Sequence, residues 1–113
     1  MEVDFSEFRA SAIRELKAAC EAISARERRA ALSSNWEYSA ELNEIFAGMM
    51  LIIDLLEAGG VEDYPAFLAA LQACDRQAGE PDSRGELQAR IMRRKVAEAA
   101  KREEAVPAGV FHI

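Results

Sequence analysis

Apolar residues recur every three or four positions along the start of the chain: Phe5, Phe8, Ala12, Ile13, Leu16, Ala19, Cys20 and Ile23. Arg14, Lys17 and Glu21 fall between them and project the other way. This spacing predicts a helix with one apolar stripe. Asp4 and Glu7 have capping-box spacing, which sets the helix start just after Asp4. The cluster Arg26, Arg28 and Arg29 suits the negative end of a helix dipole, so the helix is expected to reach about Arg29 or beyond. Ser33, Ser34 and Asn35 then break the pattern. Ser34 and Glu37 again match a capping box, and Trp36 falls in the first turn of the next helix, where packing at the bundle end is expected.

That second helix is predicted from about Asn35 to about Ala58, with Gly59 and Gly60 as its stop signal. At about 100° per residue, Leu42, Ile45, Phe46, Met49, Ile52, Ile53 and Leu56 share one broad core stripe. Glu37, Glu41 and Glu44 lie on another side, expected to face water. The same strip continues as Gly48, Leu51 and Leu55, so a solvated face turns apolar halfway along the helix. A helix that is apolar nearly all round must be covered nearly all round. In so short a chain, another protein chain is the expected cover. The residues expected to meet a partner or a second copy are Gly48, Met49, Met50, Leu51, Ile52 and Leu55, joined by Val110 and Phe111 of the C-terminal tail.

A third, shorter helix is predicted from about Asp63, with Pro65 tolerated in its first turn and Gly79 at its end. Phe67, Leu68, Leu71 and Cys74 form its inner face. The stretch from Gly79 to Gly85 reads as a loop. A fourth helix should begin near Ser83, with Glu86 completing a capping box, and run to roughly Glu104. Its amphipathicity reads as poor: Leu87 and Ile91 share a face with Arg94 and Glu98, while Met92 and Val96 point elsewhere. Such a helix is expected to pack over little of its length, or to meet a second chain. Past Pro107 the tail cannot remain helical, yet Val110, Phe111 and Ile113 are apolar. The tail is therefore expected against a helix of the same chain or of a dimer mate. The resulting picture is all-α: a single domain spanning residues 1–113, a small bundle of about four helices (two long, one short, one basic) with an extended C-terminal tail.

Composition sharpens this. The chain has no threonine and few valines and isoleucines among its 113 residues, which argues against a sheet. No segment holds the about 20 apolar residues a membrane span needs, and the acidic start, MEVDFSEF, lacks a signal-peptide pattern. A cytoplasmic location with no membrane partner is expected. Cys20 and Cys74 sit at apolar helical positions, where cysteine acts as a small hydrophobe. The net charge of −6 is unevenly spread. Residues 34–81 carry nine acids against Arg76 alone, whereas residues 82–113 carry five acids and seven bases. The acidic middle opposes nucleic acid. The run Arg90–Lys95 (RIMRRK) is the one candidate for phosphate contact, but Glu86, Glu98, Glu103 and Glu104 surround it, so a solvated helix face is the better reading.

Catalytic signatures are missing. His112 is the only histidine and has no ligand-spaced neighbour. There is no CxxC, and no glycine-rich phosphate-binding or nucleophile-elbow motif. Glu41 and Glu44 place two carboxylates near one face, but helical metal sites of that type add a histidine at ExxH spacing, which is absent. Neither an enzyme nor a cofactor is expected. Arg9 lies near the apolar stripe of the first helix and is expected to snorkel outward.

The remaining expectation is a small regulator that binds and sequesters a partner protein through an apolar helix face. The alternatives are a small acidic helical chaperone for secretion or assembly, or a helical DNA-binding regulator. In size, acidity and all-helical layout, and through its apolar helix IFAGMMLIIDLL with the Met49–Met50 pair, the chain resembles the small antiactivators of bacterial quorum sensing, the QslA-like proteins. The resemblance is one of architecture and carries over no site residues. It implies binding to the ligand-binding domain of a LuxR-type transcription factor and interference with that factor's dimerisation.

Overall fold

The computed structural model describes residues 2–112. Among them, four helices follow one another: α1 (Phe5–Leu32), α2 (Trp36–Glu57), α3 (Tyr64–Ala78) and α4 (Arg84–Lys101). The all-α bundle expected from the sequence is thus the fold. Tail residue Ile113 lies outside the described residues.

Three of the four helix starts are capped by the residues the sequence marks. Asp4, Asp63 and Ser83 accept from the backbone N–H of Glu7, Ala66 and Glu86 at 2.8, 2.9 and 3.1 Å. At Ser83 the box closes differently, since Glu86 reaches back to the backbone N–H of Asp82 at 3.1 Å. The second helix corrects the reading of Ser34. Its cap is Asn35, whose side chain accepts from the Tyr38 N–H at 3.3 Å. Ser34 belongs to the end of α1. It sits in the left-handed region (φ 57°) and its N–H returns to the Ala31 carbonyl, while the Asn35 N–H returns to that of Ala30. That pair of bonds closes a helix C-terminus, and a residue so used is not free to cap the next helix. Helix α4 ends in the same way. Glu103 (φ 52°) donates to the Ala100 carbonyl and Glu104 to that of Ala99, so the helix stops at Lys101 rather than near Glu104.

The chain forms an α1–α2 hairpin onto which α4 is laid. Leu42, Ile45, Met49, Ile52 and Leu56 of α2 are enclosed with Phe8, Ala12, Leu16 and Ile23 of α1 in one core. Ser39 and Glu27 tie the hairpin near its turn with a 2.7 Å hydrogen bond. The strip of α2 expected to face water and then a partner is the seat of α4. A β-carbon on Gly85 would lie 2.7 Å from that of Glu44, and one on Gly48 would lie 2.6 Å from that of Ala89. Positions on both helices rise together, so α2 and α4 run parallel, with α3 as the return path.

Helix α4 also corrects its reading as poorly amphipathic. Gly85, Ala89, Met92, Arg93, Val96 and Ala100 are buried, a stripe that runs the whole length of the helix. The stripe escapes notice when only large side chains are counted. Its small members let the two backbones approach closely, and the large contacts are supplied by α2.

The closed end of the bundle is aromatic. Phe5, Phe8, Tyr64 and Phe67 pack with ring centroids 5.2–6.0 Å apart. Tyr64 donates to the Val3 carbonyl at 2.6 Å. Arg9, expected to turn outward, instead lays its guanidinium 5.0 Å from the centre of the Phe5 ring and donates to the Val61 carbonyl at 2.6 Å. The tail is strapped along α1 of the same chain. Val106 N–H donates to Ser11 Oγ at 3.0 Å, and Gly109 N–H to Glu15 at 2.8 Å. Val106 and Phe111 enter the core.

Candidate protein-binding surface

The eight residues expected to meet a partner do not share a surface. Gly48 is buried against α4, and Met49 and Ile52 have no exposure at all. Leu55 is half-buried against the core, as is Val110, and Phe111 is buried. These six positions are occupied by the chain's own folding. The reason is geometric: the segment Ile45–Leu56 is apolar nearly all round because α1 lies on one side of it and α4 on another.

Met50 and Leu51 remain accessible, at 37% and 38%. Adjacent residues on a helix point about 100° apart, and these two enter different grooves. Leu51 lines a hollow of about 380 Å³ between α2, the end of α3 and α4, with Gly48, Ala89, Arg90 and Arg93. Met50 lines a groove of the same volume between α1 and α2, together with Lys17, Cys20, Glu21, Arg28 and Phe46. A smaller hollow around Ile23, Glu27, Asn43 and Phe46 extends that groove toward the hairpin turn.

The groove belongs to a larger face that neither α4, α3 nor the tail covers. Trp36, Asn43 and Met50 are spaced by seven residues, which keeps them within about 40° of one another on α2. All three are exposed, as are Asp54 and Glu57 further along. On α1 the facing residues are Lys17, Glu21, Arg28 and Leu32, also exposed. At the hairpin turn, apolar exposure reaches its maximum among the described residues: Leu32 is 87% and Trp36 65% accessible. Trp36 therefore does not pack at the bundle end as its place in the sequence suggests. Helix α4 begins beside Glu41 and Glu44, so nothing of the chain's own reaches Trp36.

The sequence reading missed this face because it followed the most apolar segment. The signal for it is a weaker one, the seven-residue spacing of Trp36, Asn43 and Met50 together with Leu32 just before the turn. Electrostatically the face has two edges. Lys17 and Arg28 line it on α1, with Glu21 between them, and Asp54 and Glu57 line it on α2. Lys17 and Glu57 pair at 3.6 Å across one end, both well exposed. The Cys20 thiol at the groove floor is pushed above its ordinary pKa by burial, and its Sγ lies 3.8 Å from Met49 Sδ. A thiol so held is a packing group rather than a nucleophile.

The basic run on α4 is only partly the solvated face expected. Arg93 is buried and holds Asp75 of α3 at 2.6 Å, and Arg90 donates to the Gly79 and Asp75 carbonyls. Arg94 and Lys95 remain exposed. Two of the four cations therefore fasten α4 to α3. Among the described residues no group of three His, Cys, Asp or Glu is placed to hold a metal ion, and no helix is long and apolar enough to cross a membrane.

No protein-family model, no curated protein and no solved structure matches this chain.

Proposed function

We propose that the protein is a small cytoplasmic, non-enzymatic regulator that binds a partner protein with the open face of its α1–α2 hairpin and keeps that partner from its own associations. The observation that carries this reading is the row Leu32, Trp36, Phe46 and Met50 along one face of a rigid two-helix scaffold, which holds the two most exposed large apolar side chains among the described residues, while Leu51 and Leu87 are exposed singly elsewhere. Large side chains of this type, with Trp, Tyr and Arg foremost, supply most of the binding energy in protein interfaces. Methionine adapts to more than one partner shape. A helix of the partner laid into the α1–α2 groove is the expected mode. The architectural resemblance to quorum-sensing antiactivators suggests the ligand-binding domain of a LuxR-type transcription factor as the class of partner. DNA reading by α4 is the weaker proposal, since Arg90 and Arg93 are engaged with α3 and its following loop.

The test is site-specific photo-crosslinking in the source cell. A crosslinking side chain at Phe46 or Asn43 should capture one protein that the same group at Leu87, an exposed position on α4, does not. The captured protein is then purified and titrated calorimetrically with wild type and with a Trp36→Glu, Met50→Glu double variant. The double variant should remain folded and bind at least a hundredfold more weakly. Equal binding by the folded double variant would place recognition elsewhere.

A further inference from the structure

We infer that, when no other partner is present, the open α1–α2 face is covered by a second copy of this chain, packed about a two-fold axis parallel to the hairpin. The inference rests on the reading of that face as an interaction surface and names its resting occupant.

Three observations support it. The first is charge. A two-fold axis along the hairpin sets α1 of one copy over α2 of the other, whereas an axis across the hairpin would set α1 over α1. The α1 edge carries Lys17 and Arg28 with Glu21, a net of +1, and the α2 edge carries Asp54 and Glu57, a net of −2. The arrangement with α1 on α2 therefore brings unlike edges together, and the alternative brings like edges together. Like-charge juxtaposition is what selects against wrong packings.

The second is register. Lys17 and Glu57 lie at one height along the hairpin, since they pair within the chain. Leu32 and Trp36 lie at another, on either side of the turn. Rotation about the hairpin axis preserves height, so Lys17 of each copy meets Glu57 of the other and Leu32 of each meets Trp36 of the other. Both contacts occur twice, as an isologous interface requires. Phe46 and Met50 fall near the axis, above a groove whose floor is Cys20 and Ile53, so each copy supplies both the projecting side chains and the hollow.

The third is extent. From Trp36 to Glu57 the face is about 32 Å long and, at two helix diameters, about 20 Å wide. That footprint, about 640 Å² in projection, falls within the roughly 600–1,000 Å² per partner of stable complexes. The product is a four-helix bundle with α4 and the tail on its outside. In it the self-associated form masks the binding face, and release of the monomer is the step that makes the regulator available.

Trp36 is the only tryptophan in the chain, so it reports on this contact directly. Sedimentation equilibrium of the full chain should give a dimer at tens of micromolar, and Trp36 emission should shift to the red on dilution. Met50→Glu should leave the monomer folded and weaken the dimer at least tenfold, while Leu51→Glu, on the other side of α2, should leave it intact. Lys17→Glu and Glu57→Lys should each weaken self-association, because each sets like charges opposite one another. Mixed, the two variants should pair with one another. A wild type that stays monomeric at hundreds of micromolar overturns the inference and leaves the partner-binding reading standing. So does a dimer that survives Met50→Glu, one lost on Leu51→Glu, or a failure of the two charge variants to pair. Loss of partner binding by Met50→Glu is read separately, in the calorimetric titration.

Discussion

The two ends of the bundle treat aromatic residues in opposite ways. At the closed end, Phe5, Phe8, Tyr64 and Phe67 from α1 and α3 stack on one another, and the backbone around them is tied down by Tyr64 and Arg9. At the hairpin end, Trp36 stands in water beside Leu32. Composition alone does not separate the two, since each holds aromatic and aliphatic residues next to arginines. What separates them is reach. Helix α3 starts over the N-terminus of α1, but α4 begins only at the level of Glu41 and Glu44, leaving the last turn of α1 and the first of α2 uncovered. Where the chain has a second element to lay on an aromatic residue, it makes a core. Where it has none, the residue is available to another molecule.

The largest test of this contrast is truncation at either end. Phe8→Ala, at a position with no exposure, should cost about 3–5 kcal/mol, while Trp36→Ala should change the stability of the monomer by less than about 0.5 kcal/mol. Urea denaturation at low protein concentration measures both. Comparable losses would mean that Trp36 is part of the fold.

A finer version compares the covered and open sides of α2 at neighbouring residues. Gly48→Val places a side chain where even a β-carbon would sit 2.6 Å from that of Ala89, and should cost about 1–3 kcal/mol. Ala47→Val, one position earlier and exposed, should cost under about 0.5 kcal/mol. The loss at Gly48 should shrink in an Ala89→Gly background. An unchanged loss there would mean that the close approach is not its cause.

The smallest expected effect lies at the closed end. Burial first, then the carboxylates of Glu103, Asp4, Glu7 and Glu2, hold the Tyr64 phenol above its ordinary value of 10.0. A raised folded pKa means that the folded chain keeps this proton after the unfolded chain has lost it. Its stabilising contribution is therefore full below 10.0 and is lost as pH rises through the folded value. Cys20, raised from 9.0 by burial, adds to the same alkaline decline. Tyr64→Phe should cost about 1 kcal/mol at neutral pH through the lost hydrogen bond to Val3, and should flatten the decline above pH 10.0. An equally steep decline in the variant would assign it elsewhere.

Much of the fold is legible in the residues. The stripe of α1, the caps at Asp4, Asp63 and Ser83, and the stop at Gly79 follow from local rules, because each depends on neighbours within one turn. Ser34 shows where such rules conflict: it satisfies the spacing of a cap but is needed to close α1, and Asn35 takes over. The site was far less legible. Met49 and Ile52 belong to the core shared with α1, and Gly48 looks available for a partner only if α2 is considered without α4, whose stripe of Gly85, Ala89 and Ala100 is almost silent in hydropathy. Which side of a helix is left open depends on the packing of the other helices, and that is a property of the whole chain. Trp36 was misplaced for the same reason, since nothing near it in sequence states where α4 begins.

The contact of Gly48 with Ala89 bears finally on how the molecule can move. Packed helices often slide along one another in small shear steps. Here a slip of one turn in one direction would bring Arg93 to the position of Ala89, against the Gly48 backbone, where the Ala89 methyl already fills the space. A slip in the other direction would draw Arg93 about 5.4 Å along the helix axis, away from Asp75, where it is buried. Sliding is thus blocked sterically one way and electrostatically the other. The expected excursion of α4 is release as a whole, which amide exchange would register as one cooperative opening shared by its residues rather than a gradient from end to end.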